Sequence, residues 1–171
     1  MTINVKTRSF LGLRVDGDII EGHSLPDQKP MSELEPLLQA LVDDPTILAF
    51  GWRQYTPYYN DGDTCVFRIS GFWVRTDRDP DPANGEIDEY DLEVDEDHRS
   101  LPPRLRSWDQ VANNFKYRPN EAYDADRWKH CKAAADAIQS KAFNRALLDA
   151  FGDHAEITIT DEIRIREYDH E

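Results

Sequence analysis

The apolar positions of this chain follow two periods, and the period changes along its length. Leu34, Leu37, Leu38, Leu41 and Val42 form one stripe at helical spacing, which predicts an amphipathic helix. Ser32 and Glu35 stand at capping-box spacing. That places Pro36 in the first turn, where proline is tolerated, and Asp43-Asp44-Pro45 ends the helix. Residues 47–55 and 64–76 are then rich in β-branched and aromatic side chains. Leu48, Phe50 and Trp52 share one face of the first run, and Cys65, Phe67 and Ile69 one face of the second. Two antiparallel strands are expected. Upstream, residues 9–22 alternate through Leu11, Leu13 and Val15 and turn at Asp16-Gly17, as in a strand or weak hairpin.

Residues 89–95 alternate strictly. Tyr90, Leu92 and Val94 point one way, and Glu89, Asp91, Glu93 and Asp95 the other, which predicts a half-buried strand with a carboxylate face. Residues 77–85, rich in Asp, Pro and Gly, read as loop. Past the Leu-Pro-Pro break, Trp108, Val111, Ala112 and Phe115 predict a short helix, with Ser107 and Gln110 as its capping box. A long helix is expected over 124–150, buried first through Trp128, Cys131, Ala135 and Ile138 and later through Phe143, Leu147 and Phe151, with Gly152 as its C-cap.

The tail predicts a hairpin with a loop at 160–162. Its register sets Ile157 against Ile165 and Ile159 against Ile163 on the core face, and Glu156 against Arg166 outside. A two-residue loop would set isoleucines against arginines. Strands and helices mix without a βαβ rhythm. The fold class is α+β: an antiparallel sheet, made of the terminal hairpin and central strands, with two or three helices packed on one face. The 171 residues form a single domain, 1–171, with an acidic excursion at 77–98.

Charge sharpens this picture. The net charge is −14. Residues 77–98 hold eleven acids against Arg78 alone, so most of the excess sits in one segment. Residues 99–118 reverse the sign, with five bases against Asp109. Such a balance argues against a surface for nucleic acid or anionic membrane, which needs clustered Lys and Arg. No apolar run spans a membrane and no signal peptide is evident, so the cytoplasm is the expected location. Cys65 and Cys131 lack metal-ligand spacing and read as buried thiols.

Four features carry candidate chemistry. Residues 54–65 contain Tyr55, Tyr58, Tyr59, Asp61 and Asp63 around a glycine. This is turn chemistry between strands, and also a set of rigid aromatic contacts for a partner. Asp77, Asp79, Asp81 and Asp88 occupy positions 1, 3, 5 and 12 of an EF-hand-like Ca²⁺ loop, with Pro82 where glycine belongs. The row Glu89, Asp91, Glu93 and Asp95 resembles the charge repeat of a phosphate strand, and equally an edge strand charged against aggregation. Asp precedes His98, His154 and His170, and the last two fall diagonally on one face of the hairpin as a metal pair. No nucleophile elbow, zinc-protease motif, P-loop or dinucleotide fingerprint is present.

The run W-x-Q-Y-T-P-Y-x-N-D-G-D-x-C over 52–65, with the tail 167–171, resembles small uncharacterised proteins of bacteria and their phages. The likeness implies no activity. It implies a phage or prophage accessory protein. The leading expectation is a non-enzymatic acidic protein that engages a basic host partner or mimics nucleic acid. The alternatives are a carboxylate- or metal-dependent enzyme of hydrolase type, and a structural or assembly protein.

Overall fold

A computed structural model describes residues 8–10, 13–15, 27–59, 62, 64–85 and 87–169. Its main sheet has four antiparallel strands in the order β4-β3-β7-β8: β3 Ile47–Tyr55, β4 Arg68–Thr76, β7 Ala155–Ile159 and β8 Ile163–Glu167. Two smaller ribbons accompany it, one before its strands in sequence and one between β4 and β7. One is β1 Arg8–Phe10 with β2 Leu13–Val15, and the other is β5 Arg104–Asp109 with β6 Asn114–Pro119. The helices are α1 Met31–Val42, α2 Ala125–Gln139 and α3 Asn144–Phe151. The fold is α+β.

One face of the sheet meets the helices. Phe50, Trp52, Phe72, Val74, Ile157 and Ile159 form a single buried cluster with Leu34 and Leu41 of α1, Cys131 and Ile138 of α2, and Leu147 of α3. Burial of this apolar surface holds the layers together. The fully buried polar side chain of Gln54 is paired: the Trp52 indole donates to Gln54 Oε1 at 3.0 Å, and Gln54 Nε2 donates to the Leu147 carbonyl at 3.1 Å.

The terminal hairpin has the expected register, with Ile157 opposite Ile165, Ile159 opposite Ile163 and Glu156 opposite Arg166. Its burial differs. Ile163 and Ile165 are more than half exposed, because β8 is the edge strand beyond the helical layer. Helix α1 matches its stripe, but Val42 is exposed and the N-cap is Pro30. Ser32 lies inside the helix and caps nothing, and Pro36 lies beyond the first turn. In β3, Phe50 and Trp52 are buried while Leu48 is exposed, because a register shift between Ile47 and Ala49 breaks the alternation there. The second strand starts later than expected, at Arg68, leaving Cys65 half-exposed on the connection. In the first ribbon Phe10 pairs with Leu13, so the reversal precedes the expected one at Asp16-Gly17, which lies outside the described residues.

Three expected elements take other forms. The long helix is two helices. Lys141 adopts φ 65°, the left-handed region, and the Ser140 hydroxyl donates to the Ala137 carbonyl and accepts from Ala142 N–H. The break swings Phe143 and Leu147 into the core, which is why the apolar stripe drifts in sequence. The expected helix at 108–115 is the β5–β6 ribbon. Asp109 Oδ1 accepts from Val111 and Ala112 N–H, and Asn113 takes φ 51°, so turn chemistry overrides a fortuitous helical spacing. The carboxylate strand at 89–95 is also absent. Residues Glu89–Leu92 form a single 3₁₀ turn, followed by an isolated bridge between Trp73 and Glu93.

Candidate functional site: an acidic cleft beside an aromatic pair

The acidic segment is folded back onto the free edge of β4. Val94 N–H donates to the Phe72 carbonyl at 3.0 Å. Leu92 then packs with Ala49 and Trp73 on the sheet face away from the helices, while Val94 enters the main core. The two apolar plugs therefore straddle the strand edge. A regular strand would send both the same way, so the period-two pattern reported the burial of Leu92 and Val94 correctly and the conformation incorrectly.

Two staples complete the anchor. His98 is 1% exposed. Its Nδ1 accepts from Ser100 and Leu101 N–H at 3.1 and 3.2 Å, so the proton sits on Nε2, which donates to the Val74 carbonyl at 2.8 Å. Burial, above all, holds the imidazole below its usual range, partly offset by the Val74 bond and by Asp79 and Asp95. Asp79 Oδ2 accepts from Thr76 N–H, from the Thr76 hydroxyl and from the Ser100 hydroxyl, all within 2.9 Å.

What this anchoring leaves outside is a wall of carboxylates. Asp91, Glu93, Asp95 and Asp97 line one cleft of about 430 Å³. The opposite wall is the β5–β6 ribbon, with Arg106, Trp108 and Phe115. Trp108 and Phe115 face each other across the ribbon as an edge-to-face pair 4.8 Å apart, and each is about half exposed. Arg106 lies 4.0 Å over the Phe115 ring and pairs with Asp97, tying the walls together. Glu93 is half-buried, and burial first, then the neighbouring Asp95, raises its carboxyl above the usual range. Arg99 also lines the cleft, so four carboxylates outnumber two arginines, and they stand beside a π surface, a combination suited to a lysine or arginine side chain.

The other sequence candidates lie elsewhere. Glu89 is on the far sheet face, 3.8 Å from Arg53. Its carboxyl is raised by burial first and then by Glu156. Tyr55 is buried, with Arg68 over its ring at 4.7 Å and Tyr168 at 5.5 Å. Tyr58 and Tyr59 are strongly exposed, and Tyr58 stacks on His154 at 4.6 Å. Asp61, Asp63 and His170 lie outside the described residues. The four aspartates of the candidate Ca²⁺ loop are not brought together. Asp79 serves the staple above, Asp81 pairs with Arg75 at 2.6 Å, Asp77 is exposed beside Arg78, and Asp88 is exposed beyond the 3₁₀ turn at Pro82–Asn84. Among the described residues no group of three or more His, Cys, Asp or Glu side chains is placed to hold a metal ion. No described helix is long and apolar enough to cross a membrane.

Sequence reasoning missed Asp97, Trp108 and Phe115 as members of one site. Reading 108–115 as a helix hid the cross-strand aromatic pair. The signal was there in Asp109, Asn113 and Asn114, three turn residues within six positions. The chain matches no protein-family model, no curated protein and no solved structure.

Proposed function

We propose that this protein is a non-enzymatic binding module that seats a basic segment of a partner protein in the cleft between residues 91–97 and the β5–β6 ribbon. One observation carries the reading: four carboxylates and an exposed aromatic pair line the same cleft. The carboxylates supply steering and charge complementarity, and the Trp108–Phe115 pair supplies an apolar contact for the stem or cationic head of Lys or Arg. Tyr58 and Tyr59 offer a second exposed contact. The motif at 52–65 supports placing the chain among phage or prophage accessory proteins that act on a host protein.

The test is calorimetric titration with a lysine- and arginine-rich peptide and its charge-neutral acetyl-lysine and citrulline counterpart. The expected result is salt-sensitive binding of the basic peptide alone, weakened about tenfold or more by the triple variant Asp91→Asn, Glu93→Gln, Asp95→Asn. Trp108→Ala should weaken it without removing the salt dependence. Equal affinity in the triple variant and the parent would overturn the proposal.

A further inference from the structure

The sheet face away from the helices carries a second cleft, of about 590 Å³, in which arginines gather beside carboxylates. Four arginines line it: Arg53 from β3, Arg75 from β4, and Arg164 and Arg166 from β8. In a chain of net charge −14 the cleft is locally neutral, since its four arginines are matched by Asp81, Asp88, Glu89 and Glu156. Carboxylates line the cleft too, but the nearest are already engaged. Glu156 accepts from Arg53 Nε at 2.7 Å, and Asp81 pairs with Arg75 at 2.6 Å. Glu89 also faces Arg53, and Asp88 stands exposed at the rim. Arg164 and Arg166 are exposed, with Arg164 paired outward to Glu162.

The decisive feature is on the floor of the cleft. Trp73 is 5% exposed, and its Nε1–H has no hydrogen-bond partner among the described residues. The Nε–H of Arg75, two residues along the same strand face, is buried and equally without a partner. Indole and guanidinium nitrogens only donate, so what both lack is an acceptor. A buried donor without an acceptor carries a desolvation cost that a bound acceptor removes. The tryptophan is held rigidly. It stands opposite Gly51 on β3, and a Cβ there would come within 2.9 Å of the indole ring, so only glycine lets the ring lie against the sheet. Thr158 and Thr160 add hydroxyls along the β7 side.

The geometry points to an oxyanion site: a phosphate or carboxylate group of a small molecule or peptide, received by the Trp73 and Arg75 N–H groups and held by Arg164 and Arg166. Planar guanidinium groups match both anions, and the shared requirement is an oxygen that accepts several charge-assisted hydrogen bonds at once. The site adjoins the acidic cleft at Ile87, and the inference stands whether or not that cleft binds a basic partner.

The experiment is a ¹H–¹⁵N NMR titration of the full chain with inorganic phosphate and, in a second arm, with acetate. Chloride at matched ionic strength is the reference. The expected result is a saturating downfield shift of the Trp73 indole resonance. Affinity should fall about tenfold or more in Arg164→Gln/Arg166→Gln, whose exposed positions leave the melting temperature unchanged. Saturation by phosphate alone identifies a phosphoryl group as the ligand, and saturation by both identifies a general oxyanion pocket. An indole resonance that does not move beyond the chloride reference would overturn the inference. An equal titration in the double variant would overturn it as well.

Discussion

Protonation of His98 should unlatch the wall that carries the acidic cleft. The neutral ring uses both nitrogens: Nε2 donates to Val74, and Nδ1 accepts from two backbone N–H groups. A proton on Nδ1 would face those two donors, in a site with 1% exposure. Burial accordingly lowers the native pKa below the ordinary 6.5. The sign follows from linkage. Below pH 6.5 the unfolded chain takes up this proton and the native chain resists it, so stability falls with acidification. The limiting slope is about 1.4 kcal/mol per pH unit, and the loss stops once native His98 is itself protonated. Glu89 and Glu93 act oppositely, because their raised native pKa values favour the folded state as pH drops. A comparison with His98→Gln removes their contribution, since both proteins carry them. Urea unfolding followed by tryptophan fluorescence at pH 7.5, 6.5 and 5.5 gives the free energies. The parent should lose stability across the lower interval by up to about 1.4 kcal/mol more than the variant. His98→Phe should cost about 3 kcal/mol at pH 7.5, because it strands two backbone donors and one carbonyl in the interior. Identical pH dependence in parent and His98→Gln would refute the reasoning.

Other outcomes follow from the same geometry. Gly51→Ala should destabilise the sheet by about 3 kcal/mol, since its Cβ would meet the Ile157 carbonyl oxygen at 2.1 Å and the Trp73 ring at 2.9 Å; a midpoint within error of the parent in denaturant unfolding would contradict this. Cys131 is buried and its thiol is pushed up to about 12, chiefly by burial, so a thiol reagent at pH 8 should modify Cys65 in the native protein and both cysteines only after unfolding. Mass spectrometry of the labelled peptides reads this directly, and rapid native labelling of Cys131 would count against the packing of α2. Neutralising Asp91, Glu93 and Asp95 should leave the fold intact while removing affinity for basic peptides, a split that separates a binding wall from a structural one.

The particular elements show where local information suffices. Helix α1 and strand β3 were legible because each presents its period over enough residues to outweigh local preferences. The terminal hairpin was legible to the residue because only one register keeps isoleucines together and sets Glu156 against Arg166. The Gly152 stop closed the α2–α3 region where expected, since capping is a contact between residues a few positions apart.

Tertiary structure decided what depends on residues far apart. Apolar alternation at 90–94 says that side chains are buried, but not in which layer. The edge of β4 sends Leu92 and Val94 to opposite sides and so turns the carboxylates of 91–97 toward the β5–β6 ribbon. Asp97, Trp108 and Phe115 become one site only through that fold-back, and the arginines of β3, β4 and β8 meet only because β7 lies between them in the sheet. The sequence by itself determined the class of fold, the hairpin register and the location of the charge, because periodicity and capping act over a few residues. Which charges face which, and which donors are buried without an acceptor, is a property of strand order and layer, and no local pattern encodes it.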